Sequence, residues 1–139
     1  MKKLFILSIF LTIPLLVFGQ KDSVNIWISR IDNSSIEGTC QYSWVIIPKQ
    51  NKPEINKLIK TGKSIKHKLT KLLTDENKGI IAHYILSNIY GEFSYRILSM
   101  DSVQITYNYN GLEFKEMVEK IATDQSNLRK IKEYWIKKK

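Results

Sequence analysis

The sequence predicts an α+β fold, and three observations carry that expectation. Between Pro53 and Tyr90 apolar residues recur at helical spacing behind local caps, between Phe93 and Tyr109 they alternate with polar ones, and beyond Met117 the helical period returns. A central helical hairpin, a small antiparallel sheet and a C-terminal helix closing one core follow.

The elements are justified in chain order. Lys2 and Lys3 precede an apolar run from Leu4 to Phe18, interrupted by Ser8, Thr12 and Pro14, which is the pattern of a secretory signal. Val17 and Gly19 are small enough for the positions three before and one before a cleavage site. Residues 1–19 are therefore expected to be removed, leaving Gln20 as the first residue of a single globular domain, 20–139. The run is shorter than the roughly 20 apolar residues of a spanning helix and holds Pro14 in its middle, so no transmembrane segment is expected after cleavage. In 22–48, Val24, Ile26 and Ile28 alternate as in a strand, whereas Val24, Trp27, Ile28 and Ile31 share a helix face led by Asp22 or Ser23. The helical pattern is favoured. Asn33 to Gly38 reads as a turn, and the next apolar run stops at Pro48.

Pro53 and Glu54 open a short helix with Ile55, Leu58 and Ile59 on one face, and Gly62 ends it. Ser64 is the expected cap of a second helix bearing Ile65, Leu69, Leu72 and Leu73, with His67 and Lys71 pointing away. Thr74 and Asp75 are the expected caps of a third, running to Tyr90 with Gly91 at its end. Its Ile81, Ala82, Ile85, Leu86 and Ile89 make one face while Ile80 and Tyr84 lie opposite, so it should be covered on both sides. Phe93 to Ile97 and Val103 to Tyr109 read as two strands, and Asn110-Gly111 as the turn into a third from Leu112. Met117, Val118, Ile121, Leu128, Ile131 and Trp135 form one stripe if the last helix runs through. A break at Thr123 to Ser126 fits equally well.

Leu58, Gly62-Lys63, Ile65, Leu69, Leu72-Leu73, Asp75, Ala82, Leu86 and Ile89 together resemble one unit of the HEAT-type helical hairpin, over about residues 53–90. The arginine usual in the second helix of that unit is missing, with Ile80 and Ile81 near its place. No second copy follows, and stacked repeats need about three units to be stable. The resemblance thus implies a lone hairpin inside another fold.

Composition narrows the function. Removing Lys2 and Lys3 from 22 basic side chains leaves 20 against 13 acidic ones, a net of +7 for the expected mature chain. Abundant Lys, Ile and Asn with scarce Ala and Arg suggest a bacterial, AT-rich origin. Cys40 is the sole cysteine, so no intrachain disulfide can form; beside Tyr42, Trp44 and Val45 it reads as a small buried hydrophobe. Asn33-Ser34-Ser35 fits the glycosylation pattern, a match frequent by chance. His67 and His83 read as surface or boundary side chains, without the partner a nucleophile–base pair needs. No His, Cys, Asp or Glu spacing matches a metal site and no phosphate-binding glycine loop occurs, so neither metal nor cofactor is expected. Glu113, Glu116 and Glu119 are the one cluster that could act as paired carboxylates on a glycan, but their spacing is that of a solvated helix face.

Charge and aromatic residues point elsewhere. From Lys49 to Lys71 there are eight lysines against the single acid Glu54, and Lys137 to Lys139 close the chain. Lys57, Lys60, Lys66, Lys68 and Lys71 flank the apolar stripes of the first two helices and should face solvent, suiting an anionic protein, glycan or lipid surface. Nucleic acid is disfavoured by the export signal and by a total of three arginines. Among the aromatics, Tyr107 and Tyr109 share one strand face beside a tight turn and are the candidate platform residues. The sequence therefore favours an exported, non-enzymatic binding protein of the cell envelope, of inhibitor or immunity type in its most specific form. The alternative is a small envelope hydrolase using paired carboxylates.

Overall fold

The computed structural model describes residues 23–40, 44–92, 95–100, 105–109, 111–115 and 120–139. The expected signal segment 1–19 and its cleavage point lie outside them. Helix α1, residues 23–29, leads through a short 3-10 turn, Asn33–Ser35, into strands β1 (Ile36–Cys40) and β2 (Trp44–Pro48), an antiparallel pair with Ile36 opposite Pro48. Helices α2 (Pro53–Thr61), α3 (Lys66–Leu72) and α4 (Gly79–Tyr90) follow. Strands β3 (Tyr95–Met100), β4 (Ile105–Tyr109), β5 (Leu112–Lys115) and β6 (Lys120–Ala122) form an antiparallel sheet in that order, and helix α5 (Gln125–Lys137) comes last. The fold is α+β, with a helical hairpin in the middle, small antiparallel sheets and a C-terminal helix.

α4 holds the core together because residues 81–87 are all buried, which requires neighbours on every side. α2 and α3 cover one flank with Ile55, Leu58, Leu69 and Leu73, while α5 brings Leu128, Ile131 and Trp135. Val24 and Ile31 near α1, and Ile36 and Ile46 of the first sheet, close the same cluster. Ile26, on the other side of α1, is exposed, so the amphipathic helical pattern won over the strand alternative. Gly91 ends α4 in the left-handed region at φ 65°, where an L side chain is strained.

Four element boundaries differ from the sequence expectation, each for a local reason. The turn expected over 33–38 ends at Ser35, because the Asp32 carboxylate satisfies the Ser34 amide at 2.8 Å and Ile36 is already buried in β1. Ser64 does not cap α3; its hydroxyl donates back to the Thr61 carbonyl at 3.2 Å within a 3-10 turn, Gly62–Ile65. Asp75 caps a turn rather than α4, accepting from the amides of Asn77 and Lys78 at 2.9 Å. α4 starts at Gly79, where a Cβ would stand 2.5 Å from the Leu73 carbonyl oxygen, so the backbones can approach only without a side chain. Finally, of the two readings offered beyond Met117 the break at Thr123 to Ser126 is the one found, since α5 begins after Asp124, whose carboxylate accepts from the Asn127 amide at 2.6 Å; what differs is Ile121, which pairs with Phe114 in β6 instead of lying on a helix. β4 pairs with β5, with Tyr109 opposite Leu112 and Gly111 at φ 91°, while Asn110 lies outside the described residues.

The start of α4 is completed from far away in the chain. The Asn33 side-chain oxygen accepts from the Ile81 amide at 3.1 Å, its side-chain nitrogen donates to the Glu76 carbonyl at 2.8 Å, and its own amide donates to the Asn77 carbonyl at 2.7 Å. With no side-chain cap at Lys78, Asn33 does that work, through Ile81, from 48 residues upstream.

Candidate functional site

The amphipathic division of α2 and α3 sets the basic face. Ile55, Leu58 and Leu69 turn inward and are fully buried, which forces Lys57, Lys60, His67 and Lys71 outward. The five lysines expected to act together are then divided. Lys57 Nζ stands 5.7 Å from the Trp27 ring centroid and Lys68 Nζ donates to the Asn25 side-chain oxygen at 2.6 Å, so both lean on α1. Lys66 turns the other way and donates to the carbonyl of Lys138, beyond the end of α5. Lys60 and Lys71 are exposed and have no acidic partner among the described residues. Two other lysines are structural: Lys78 donates to the Ile28 carbonyl at 2.6 Å and Lys52 to that of Arg30 at 3.1 Å, satisfying the end of α1. Arg30 in turn lies 3.5 Å from Glu54, whose carboxyl is held below the usual range by its own backbone amide and by that guanidinium.

Between the 3-10 turn, α3 and the end of α5 lies a cleft of about 410 Å³ lined by Lys63, Ser64, Lys66, His67, Thr70 and Ile136. Lys63 and Lys66 both reach the Tyr90 ring, with ammoniums 4.8 and 5.9 Å from its centroid. Tyr90 is itself fixed against Trp135, centroid to centroid 5.2 Å. In the sequence Lys63 entered only through the hairpin resemblance and His67 only as a surface or boundary side chain, and His67 is indeed exposed. Their signal was spacing, since residues 63, 66 and 67 fall on one side of a helical turn only if the 3-10 segment joins α3 without a gap.

His83 is a correction. Expected at the surface or boundary, it is 3% exposed, and its Nδ1 accepts from Trp135 Nε1 at 2.9 Å. The indole N–H can only donate, so Nδ1 is the accepting atom of this pair. The reason is α5: a buried indole N–H needs an acceptor, and the far side of α4 supplies one. A second cavity, about 340 Å³, borders this pair and is lined by Glu92, Lys130, Ile131 and Tyr134 as well. Glu92 is held there by Lys138 and by the Tyr134 hydroxyl.

Of the other candidates, Glu113 sits in β5 rather than on a helix, while Glu116 and Glu119 lie outside the described residues. Tyr107 and Tyr109 fall in β4, at positions opposite Phe114 and Leu112, but their side chains and that of Cys40 lie outside the described set. Among the described residues no group of three or more His, Cys, Asp or Glu could hold a metal ion, and no helix is long and apolar enough to cross a membrane. No protein-family model, curated protein or solved structure matches the chain.

Proposed function

We propose that the chain is an exported, non-enzymatic binding protein of the bacterial cell envelope that meets an anionic partner through the basic face of α2 and α3. The observation that supports this most is the state of Lys60 and Lys71, exposed cations on adjoining helices with no acidic partner among the described residues. Uncompensated charge of one sign raises the local concentration of anions and accelerates their encounter. Export rests on the signal pattern of residues 1–19, and in this reading residues 53–90 are a lone HEAT-like hairpin that carries the face. The inhibitor or immunity form of the proposal requires the partner to be an acidic protein.

One experiment addresses both halves. The protein is recovered from envelope and medium, its intact mass is measured, and its partners are captured at rising salt with wild type and with the Lys60→Glu/Lys71→Glu variant. The expected results are a chain starting at Gln20, capture that weakens with salt as exposed charges are screened beyond about 8 Å, and an on-rate reduced by the reversal. A full-length chain in the membrane refutes export. Identical partners and salt dependence for both proteins refute the basic face.

A further inference from the structure

The geometry points to the cleft beside Tyr90 as a binding site for a phosphoryl group carried on a small organic ester. This inference rests on the reading of the basic face as the functional surface, and narrows it to one place and one ligand chemistry.

Two like charges are held over one aromatic ring there, with Lys63 Nζ at 4.8 Å and Lys66 Nζ at 5.9 Å from the Tyr90 centroid. The face of the ring attracts each of them but does nothing to screen one from the other. No carboxylate forms an ion pair with either among the described residues, and Glu92 is held by Lys138 and the Tyr134 hydroxyl. Lys66 is fixed by its bond to the Lys138 carbonyl and keeps two further ammonium hydrogens. His67 is exposed on the same cleft, while the hydroxyls of Ser64 and Thr70 are committed to the carbonyls of Thr61 and Lys66. The free donor set is therefore Lys63, Lys66 and His67.

Three separate donors match the three terminal oxygens of a phosphate monoester, whereas a planar carboxylate offers two. Lysine serves such groups as a point charge, without the fork that makes arginine suit carboxylates. The depression is open to solvent, so the ester's carbon skeleton is not enclosed, and Ile136, 62% exposed at its edge, offers it an apolar contact.

The test is a calorimetric and amide-shift titration of the mature protein with glycerol 3-phosphate, inorganic phosphate and acetate at matched ionic strength. Flotation on phosphatidylcholine vesicles with and without phosphatidic acid runs beside it. Both phosphates should bind and acetate should not, with shifts confined to residues 63–70 and 136–138. Lys63→Gln or His67→Gln should weaken binding about tenfold or more, the loss of one charge-assisted hydrogen bond, and Lys60→Gln, on the same face outside the cleft, by less than about twofold. Vesicle binding that glycerol 3-phosphate displaces places the phosphoryl group on a lipid; binding of the soluble ester alone makes the ligand a free metabolite. Acetate binding as well as phosphate, or equal losses for Lys60→Gln and Lys63→Gln, overturns the site and leaves the general basic face standing. No phosphate binding alongside intact salt-sensitive partner capture overturns the site alone; loss of both overturns the two proposals together.

Discussion

Asn33 is one residue on which two parts of the fold depend. Its side chain and amide bond to Ile81, Glu76 and Asn77, so Asn33→Ala should lower stability by about 1–2 kcal/mol, the usual loss for a helix cap. Denaturant melts with an unchanged m-value would measure it, and a loss below about 0.3 kcal/mol would show that water replaces the cap. Nothing in the sequence announces this role, because capping rules read only neighbours and the amide that Asn33 caps, that of Ile81, lies 48 residues later. His83 was illegible for a similar reason: its place on the helix wheel was correct, but the surface it faced became interior once Trp135 was laid across it. The lysines show the converse. Their outward positions were legible in the spacing, while the division into Lys57 and Lys68 against Lys66 depends on where α1 and the end of α5 come to rest.

Among the elements, the hairpin of α3 and α4 is where local signals and tertiary packing agree. Leu69, Leu73 and Ile85 are fully buried together and Ile89 packs at their edge. Truncating Leu69 or Ile85 to Ala should therefore destabilise by about 2–5 kcal/mol, while losses under about 1 kcal/mol at both would show that the hairpin is not the centre of the core. The elements whose ends were misplaced are those fixed by chain reversal. β6 is three residues long and exists because β5 offers it an edge, a pairing that the apolar residue at 121 cannot distinguish from a helical stripe. α4 starts late because Gly79 must pass close to the Leu73 carbonyl and Leu128, a contact made between elements and invisible within either.

The molecule as a whole carries far more positive than negative charge, 22 basic against 13 acidic side chains in the full chain. Its described ion pairs join Arg30 to Glu54 and Lys138 to Glu92, leaving Lys60 and Lys71 among the cations that repel their neighbours through solvent. Raising salt from about 10 mM to about 150 mM shortens the Debye length from about 30 to about 8 Å, and the melting temperature of the purified protein should rise by a few degrees. A flat or falling melting temperature would show that attraction, not repulsion, dominates the surface. The clasp between Asn33 and α4 has a consequence of another kind, in the order of events as the chain folds. Helices α3 and α4 find their partners nearby in sequence, which is the fast kind of contact, whereas the clasp must wait until a long stretch of chain has turned back on itself. Closing so long a loop is slow more than it is destabilising, since the entropy of closure grows only logarithmically with length. The Asn33 clasp thus docks after the α3–α4 hairpin has formed, and so does α5, whose Trp135 reaches back 52 residues to His83.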